Sequence, residues 1–253
     1  MSQNPIKEFG VLVGCDASQE WLLAWFDAHF RKTNPDCPIA FADFGMSLAA
    51  QNWCRERGPL QKVPVFSADQ AKQGKFLFQG EFWQEWKLDT SNWTPDRRVC
   101  FRKPFAIAQA PFQRILWLDL DCQVRGDLTP LLSLPLASAK LGAVPCGSYC
   151  QVYNLSKKQV VLIDKYNSGV ILTEKKSTLL DRWISLNDRK ISFRTDEGSL
   201  SFLAGQNQMQ ITEISSLFNW PVHAWGENDQ AIVYHWLGQE AKCRLRTLIE
   251  SAS

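Results

Sequence analysis

Arg114-Ile115-Leu116-Trp117-Leu118-Asp119-Leu120-Asp121-Cys122-Gln123-Val124 opens as a short apolar strand and ends in two carboxylates one residue apart. A strand this uniformly apolar suits a sheet covered on both faces, which is the environment of parallel sheets. In an open parallel sheet, ligands bind along the edge formed by the carboxyl ends of the strands. Strand geometry predicts that Asp119 and Asp121 point the same way. Like charges so placed repel unless something neutralises them, and carboxylate oxygens suit a hard divalent cation, Mg²⁺ or Mn²⁺. Such a cation would bridge two phosphates and stabilise the charge on a departing diphosphate. The plain alternative is a solvated acidic pair at a strand end; the apolar strand before it favours a site.

Two further segments carry polar chemistry against apolar strands. Tyr166-Asn167-Ser168-Gly169-Val170-Ile171-Leu172 reads as a polar turn running into a strand. Asn and Ser bring hydrogen-bonding groups, and Gly permits close backbone approach. Near the C-terminus, Tyr234-His235-Trp236-Leu237-Gly238 precedes Lys242, Arg244 and Arg246. The chain has 3 histidines. His29 falls within a helix and reads as packing, His223 is undecided, and His235 ends a strand beside basic residues. Imidazole is an acceptable ligand for Mn²⁺, and Lys and Arg match phosphate oxygens.

The chain opens as β-α-β. Residues 9–15 (FGVLVGC) form a buried strand, and Gln19 to Arg31 repeats Trp21, Leu22, Trp25, Phe26 and Phe30 at helical spacing. Ser18 is the expected N-cap. Pro35 and Pro38 stop the helix, and Ile39 to Phe44 is a second strand, so a parallel sheet is expected. Residues 104–112 predict a helix with Pro104 in its first turn. Leu141–Val144 and Gly169–Leu172 predict strands, Ser177–Leu186 and Asp196–Ala204 helices, and 231–236 a late strand. The aromatic run with Phe76, Phe78, Phe82, Trp83, Trp86 and Trp93 has no period and is not assigned. No linker divides the chain, so 1–253 is expected to be a single domain.

Composition narrows the functions. The chain has 253 residues and a net charge of +2 from 28 basic and 26 acidic side chains, too balanced for a nucleic-acid groove. No segment approaches the ~20 apolar residues of a membrane span, and the N-terminus lacks the apolar core of a signal peptide. A cytoplasmic protein is expected, with at most peripheral membrane contact. The 8 cysteines are dispersed, which suits reduced thiols. Most of the 11 Trp and 15 Phe serve core packing.

Taken in order, these segments resemble the GT-A glycosyltransferases, specifically the retaining glycogenin and lipopolysaccharide galactosyltransferase group. Residues 115–132 (ILWLDLDCQVRGDLTPLL) resemble that family's metal segment, and Asn167-Ser168-Gly169-Val170 its Asn-Ala-Gly-Val segment. Asp196-Glu197-Gly198 resembles its Asp-Gln-Asp, Phe218-Asn219-Trp220 its Phe-Asn-aromatic turn, and His235-Trp236-Leu237-Gly238 its His-Phe-x-Gly. The resemblance implies a mostly parallel α/β fold flanked by helices. It implies hexosyl transfer from a nucleotide-sugar, expected to be a UDP-sugar, to a hydroxyl of a glycan, protein or small molecule, with retention. Asp119, Asp121 and His235 would hold Mn²⁺ or Mg²⁺. Asp16 would meet the base and ribose, and Arg102, or alternatively Lys103, the donor sugar and phosphates. Asn167 and Ser168 belong to the segment facing donor sugar or acceptor, Asp196 would meet the sugar hydroxyls, and Gly238 and Lys242 the diphosphate.

The chain also departs from this pattern. Glu197 replaces the family's Gln beside the anomeric carbon, where a carboxylate would act as nucleophile or stabilise an oxocarbenium-like state. Gly198 replaces its second Asp, and the Lys lies one residue further from His235 than usual, so Arg244 is a candidate to share its role. A degenerate, non-catalytic nucleotide-sugar or glycan binder is therefore a rival expectation. A sugar nucleotidyltransferase is a weaker one, because residues 10–20 lack the Gly-rich basic loop that would hold a triphosphate.

Overall fold

The computed structural model describes residues 7–63, 101–146, 151–154, 159–162, 166–188, 196–206 and 210–251. The unassigned aromatic run lies outside them. Strands β1 (Lys7–Cys15), β2 (Ile39–Asp43), β3 (Leu60–Lys62), β4 (Phe112–Leu118), β6 (Leu141–Pro145), β9 (Tyr166–Glu174) and β10 (Thr212–Glu213) form a seven-stranded sheet in the order β10-β6-β9-β4-β1-β2-β3. The strand that opens the acidic segment thus occupies its centre. Every neighbouring pair is parallel except those made by β9, which runs antiparallel to both β4 and β6. A small sheet, β11 (Trp220–Pro221), β12 (Val233–His235) and β5 (Cys122–Val124), stands beside it. Strands β7 (Gln151–Asn154) and β8 (Gln159–Leu162) form a separate antiparallel pair.

Alternation along the central strands explains why both faces are covered. Leu116 and Leu118 join one apolar cluster with Val11 and Val13, while Ile115 and Trp117 join another with Leu12. Helices α1 (Leu23–Thr33) and α2 (Leu48–Arg55) contribute Phe26, Phe30 and Cys54 to the first cluster. Helix α3 (Lys103–Gln109) contributes Ile107 to the second, where α5 (Thr178–Asp188) and α6 (Asp196–Gln206) add Trp183 and Leu200. The short helices α4 (Thr129–Leu132) and α7 (Val222–Trp225) complete the loops, and α8 (Gln239–Ser251) packs Ala241 and Leu245 inward. No helix among the described residues is long and apolar enough to cross a membrane.

Local details correct two expectations. Ser18 does not cap α1: a 3₁₀ turn, Glu20–Leu22, precedes that helix. The Ser18 N–H and hydroxyl both donate to Asp16 Oδ1 instead, at 2.9 and 2.7 Å, closing a local turn before the helix begins. Asn167 and Ser168 are not a turn. They lie inside β9, where the pairing with β6 shifts register between Ala143 and Val144. The irregularity sits beside Asn167, at the end of β9 that adjoins the carboxyl end of β4.

Candidate functional site

Asp119 and Asp121 do not share partners. Strand β4 ends at Leu118, and a turn closed by the Cys122 N–H donating to the Asp119 carbonyl (3.0 Å) follows at once. The alternation that would have aligned the carboxylates therefore stops between them. Asp119 keeps the face of Trp117, whose Nε1 donates to Asp119 Oδ1 at 2.6 Å. The ammonium of Lys103 lies 3.0 Å from the same oxygen.

Lys103 links two parts of the site. Its ammonium also lies 2.9 Å from Asp196 Oδ2 and donates to the Ser168 hydroxyl and carbonyl, each at 2.9 Å. Burial alone would lower its pKa, but Asp119 and Asp196 hold it well above the ordinary lysine value. Arg102, the neighbouring candidate, is buried and donates to the carbonyls of Phe44 and Val63. It ties the ends of β2 and β3 together, while Lys103 turns into the site.

Asp196 and Glu197 stand in the first turn of α6, where the helix dipole favours carboxylates. Rungs to β9 hold this turn. The Ser168 hydroxyl donates to Asp196 Oδ2 (2.7 Å), Asn167 Nδ2 to Glu197 Oε1 (3.3 Å), and the Tyr166 N–H to Ser201 Oγ (3.1 Å). From beneath, Trp183 Nε1 donates to Ser199 Oγ, which donates to the Asp196 carbonyl.

Asp121 belongs to a second group. Antiparallel pairing of β5 with β12 sets Cys122 opposite His235. Among the described residues, the ligand atoms of Asp121, Cys122 and His235 lie within 4.8 Å of one another, and all three residues are buried. His235 Nε2 is 3.3 Å from Asp121 Oδ1, and it is buried without a hydrogen bond. A buried imidazole nitrogen facing a carboxylate with no bond of its own fits a divalent cation between them. Asp121 is also 3.1 Å from the Lys242 ammonium. Burial would raise the Asp121 carboxyl, but the positive charge of Lys242 holds it below the usual carboxylate range.

Gly238 turns the chain from β12 into α8 at φ +92°, a conformation that L side chains rarely adopt, and its carbonyl accepts the Lys242 N–H at 3.1 Å. That turn aims Lys242 inward, whereas Arg244 on the same helix is exposed. Asp16 follows directly on β1, its carboxylate engaged by Ser18. His29 packs as expected, its Nδ1 2.9 Å from the Trp25 carbonyl. His223 is exposed, 3.4 Å from Glu240.

Sequence reasoning did not single out Trp117, Cys122 or Asn219 as site residues. Trp117 was detectable, since residues two apart on a strand share a face. Cys122 and Asn219 depend on pairings between distant segments.

No protein-family model matches the chain, and no curated protein matches it either. Solved structures do match. The galactosyltransferase LgtC, in complex with donor and acceptor sugar analogues, aligns with TM-score 0.59 and 17% identity over 90% of this chain and 87% of that one. The glycosyltransferase GlyE of Streptococcus pneumoniae TIGR4 aligns with TM-score 0.57 and 16% identity over 92% of this chain and 55% of that one. Mouse xyloside xylosyltransferase 1 aligns with TM-score 0.56 and 16% identity over 90% of this chain and 97% of that one. Together with the mostly parallel sheet and its polar carboxyl edge, these likenesses show that the chain has the GT-A fold of glycosyltransferases.

Proposed function

We propose that this chain transfers a hexosyl group from a UDP-sugar to a hydroxyl of a glycan, protein or small molecule, with retention at the sugar carbon and dependence on a divalent cation. The observation that carries this reading is the buried, unbonded His235 Nε2 facing Asp121. It stands at the sheet edge where β9 presents Asn167 and Ser168 to Glu197 and Asp196.

Asp121 and His235, with Asp119, would hold Mn²⁺ or Mg²⁺, which supplies positive charge against a diphosphate leaving group. Lys242, its ammonium already beside Asp121, adds a second cation for the phosphate oxygens. Gly238 lets the backbone approach the diphosphate, and Asp16 receives the base and ribose. Lys103 holds Asp196 in place for the hydroxyls of the donor sugar. Asn167 holds Glu197, which presents negative charge to the sugar carbon as its bond to the diphosphate breaks. Catalysis on this reading is positioning and charge stabilisation by groups set before the substrate arrives.

Calorimetric titration of UDP, CDP and GDP, with Mn²⁺ and again with EDTA, tests the donor site. Metal-dependent binding of UDP alone supports the reading and directs a screen of UDP-sugars for transfer and hydrolysis. Absence of binding by every diphosphate would overturn it.

A further inference from the structure

We propose that Asn219 is a positioning residue that sets the tautomer of His235, turning the lone pair of Nε2 toward the cation. The role of the cation rests on the donor reading above; the tautomer follows from hydrogen bonds alone.

The relay begins at a group whose polarity allows no choice. The backbone N–H of Gly169 donates to the Asn167 side chain at 2.8 Å, so the accepting atom is Oδ1. An Asn219 side-chain atom lies 2.7 Å from that same oxygen, and it must be the donor, Nδ2. Asn219 Oδ1 is thereby left 2.8 Å from His235 Nδ1. An amide oxygen only accepts, so His235 carries its proton on Nδ1. Neutral histidine in water prefers the proton on Nε2, and the relay reverses that preference. All three side chains are buried, so no water competes for these bonds.

Two consequences follow for the site. With Nδ1 committed to Asn219, Nε2 is the nitrogen left facing Asp121 Oδ1, where a cation would lie against both atoms. The other end of the relay is Asn167 Nδ2, which donates to Glu197 Oε1. One set of bonds therefore orients both the imidazole and the carboxylate on α6. The outer bond of a ligating histidine fixes its ring and its proton, and loss of such a partner typically weakens metal binding about 10–100-fold.

The 3 histidines of this chain make the ring directly readable. Two-bond ¹H–¹⁵N correlation spectra of ¹⁵N-histidine-labelled, metal-free protein should show a proton on His235 Nδ1. Asn219→Leu should move that proton to Nε2 and weaken Mn²⁺ binding, measured calorimetrically with UDP present, by about 10–100-fold. Asn219→Asp keeps an acceptor for Nδ1–H but removes the donor to Asn167 Oδ1, so it should keep the proton on Nδ1. An unchanged signal of His29, packed against Trp25, reports that each variant is folded. A wild-type ring protonated on Nε2 alone, or an Asn219→Leu variant with unaltered ring protonation and Mn²⁺ affinity, would overturn the proposal. A wild-type chain that shows the Nδ1–H ring but binds no Mn²⁺ with UDP would sink the donor reading while supporting Asn219 as the residue that sets the tautomer.

Discussion

The Lys103 ammonium lies 2.9 Å from Asp196 Oδ2 although the two residues are far apart in the sequence, and both side chains are almost wholly buried. This contact locks the start of α6 to the helix that precedes the central strand. Removing one member of a buried pair leaves an uncompensated charge. Lys103→Met should therefore cost about 3–5 kcal/mol in urea denaturation at neutral pH. The Lys103 pKa is raised, so the folded chain holds this proton more tightly than the unfolded chain does. Its stabilisation is complete below about pH 10 and is lost as pH rises further. The variant should lose that part of the alkaline dependence, and an unchanged alkaline profile would contradict the pairing.

Asp121→Ala should abolish metal-dependent UDP binding, with affinity falling by more than about 100-fold. The fold should survive, because the Lys242 side chain is 29% exposed and can return its charge to water. We expect the melting temperature to fall by only about 2–4 °C. A variant that binds UDP with Mn²⁺ as tightly as wild type would show that the cation is held elsewhere.

Gly169 lies directly against the His235 ring. A β-carbon at this position would overlap the imidazole, 2.8 Å from Nδ1 and 2.9 Å from Asn167 Oδ1. Gly169→Ala should lower stability by about 1–3 kcal/mol. It should also weaken Mn²⁺-dependent UDP binding about tenfold or more, because ring and relay are both displaced. Calorimetry and thermal melts on the same sample separate the two effects.

Glu197→Gln retains an acceptor for Asn167 but removes the charge. Transfer from the UDP-sugar should fall about 10²–10³-fold, the usual loss when one preorganised electrostatic group is removed. UDP and Mn²⁺ binding should stay unchanged. Survival of most of the activity would show that the carboxylate charge is not required.

Arg102→Lys tests a structural role. A lysine cannot span the carbonyls of Phe44 and Val63 as the guanidinium does. The expected result is a loss of about 1–3 kcal/mol of stability with UDP affinity retained by the folded protein. Lost affinity at full stability would place Arg102 against the donor instead.

The acidic segment, the apolar strand before it and the His-x-x-Gly ending were legible because each is a local pattern. An uninterrupted apolar run can only be covered on both faces, and β4 does lie at the centre of the sheet. The choice between Arg102 and Lys103 was not legible. Adjacent residues in a helix point in different directions, and which one enters the site depends on how Lys103–Gln109 docks.

Residue types and their order determined the α/β class, the parallel opening, the position of the central strand and the carboxylates at its end. These follow from hydrophobic periodicity and from charge, which act over a few residues. Tertiary structure alone decided which charge meets which. A turn after Leu118 sent Asp119 to Lys103 and Asp121 to Lys242 and His235, and the meeting of β9 with Asn219 decided which nitrogen of His235 bears the proton. Hydrogen bonds and ion pairs hold only within a few ångströms, so their partners come from whichever distant segments the packing brings together.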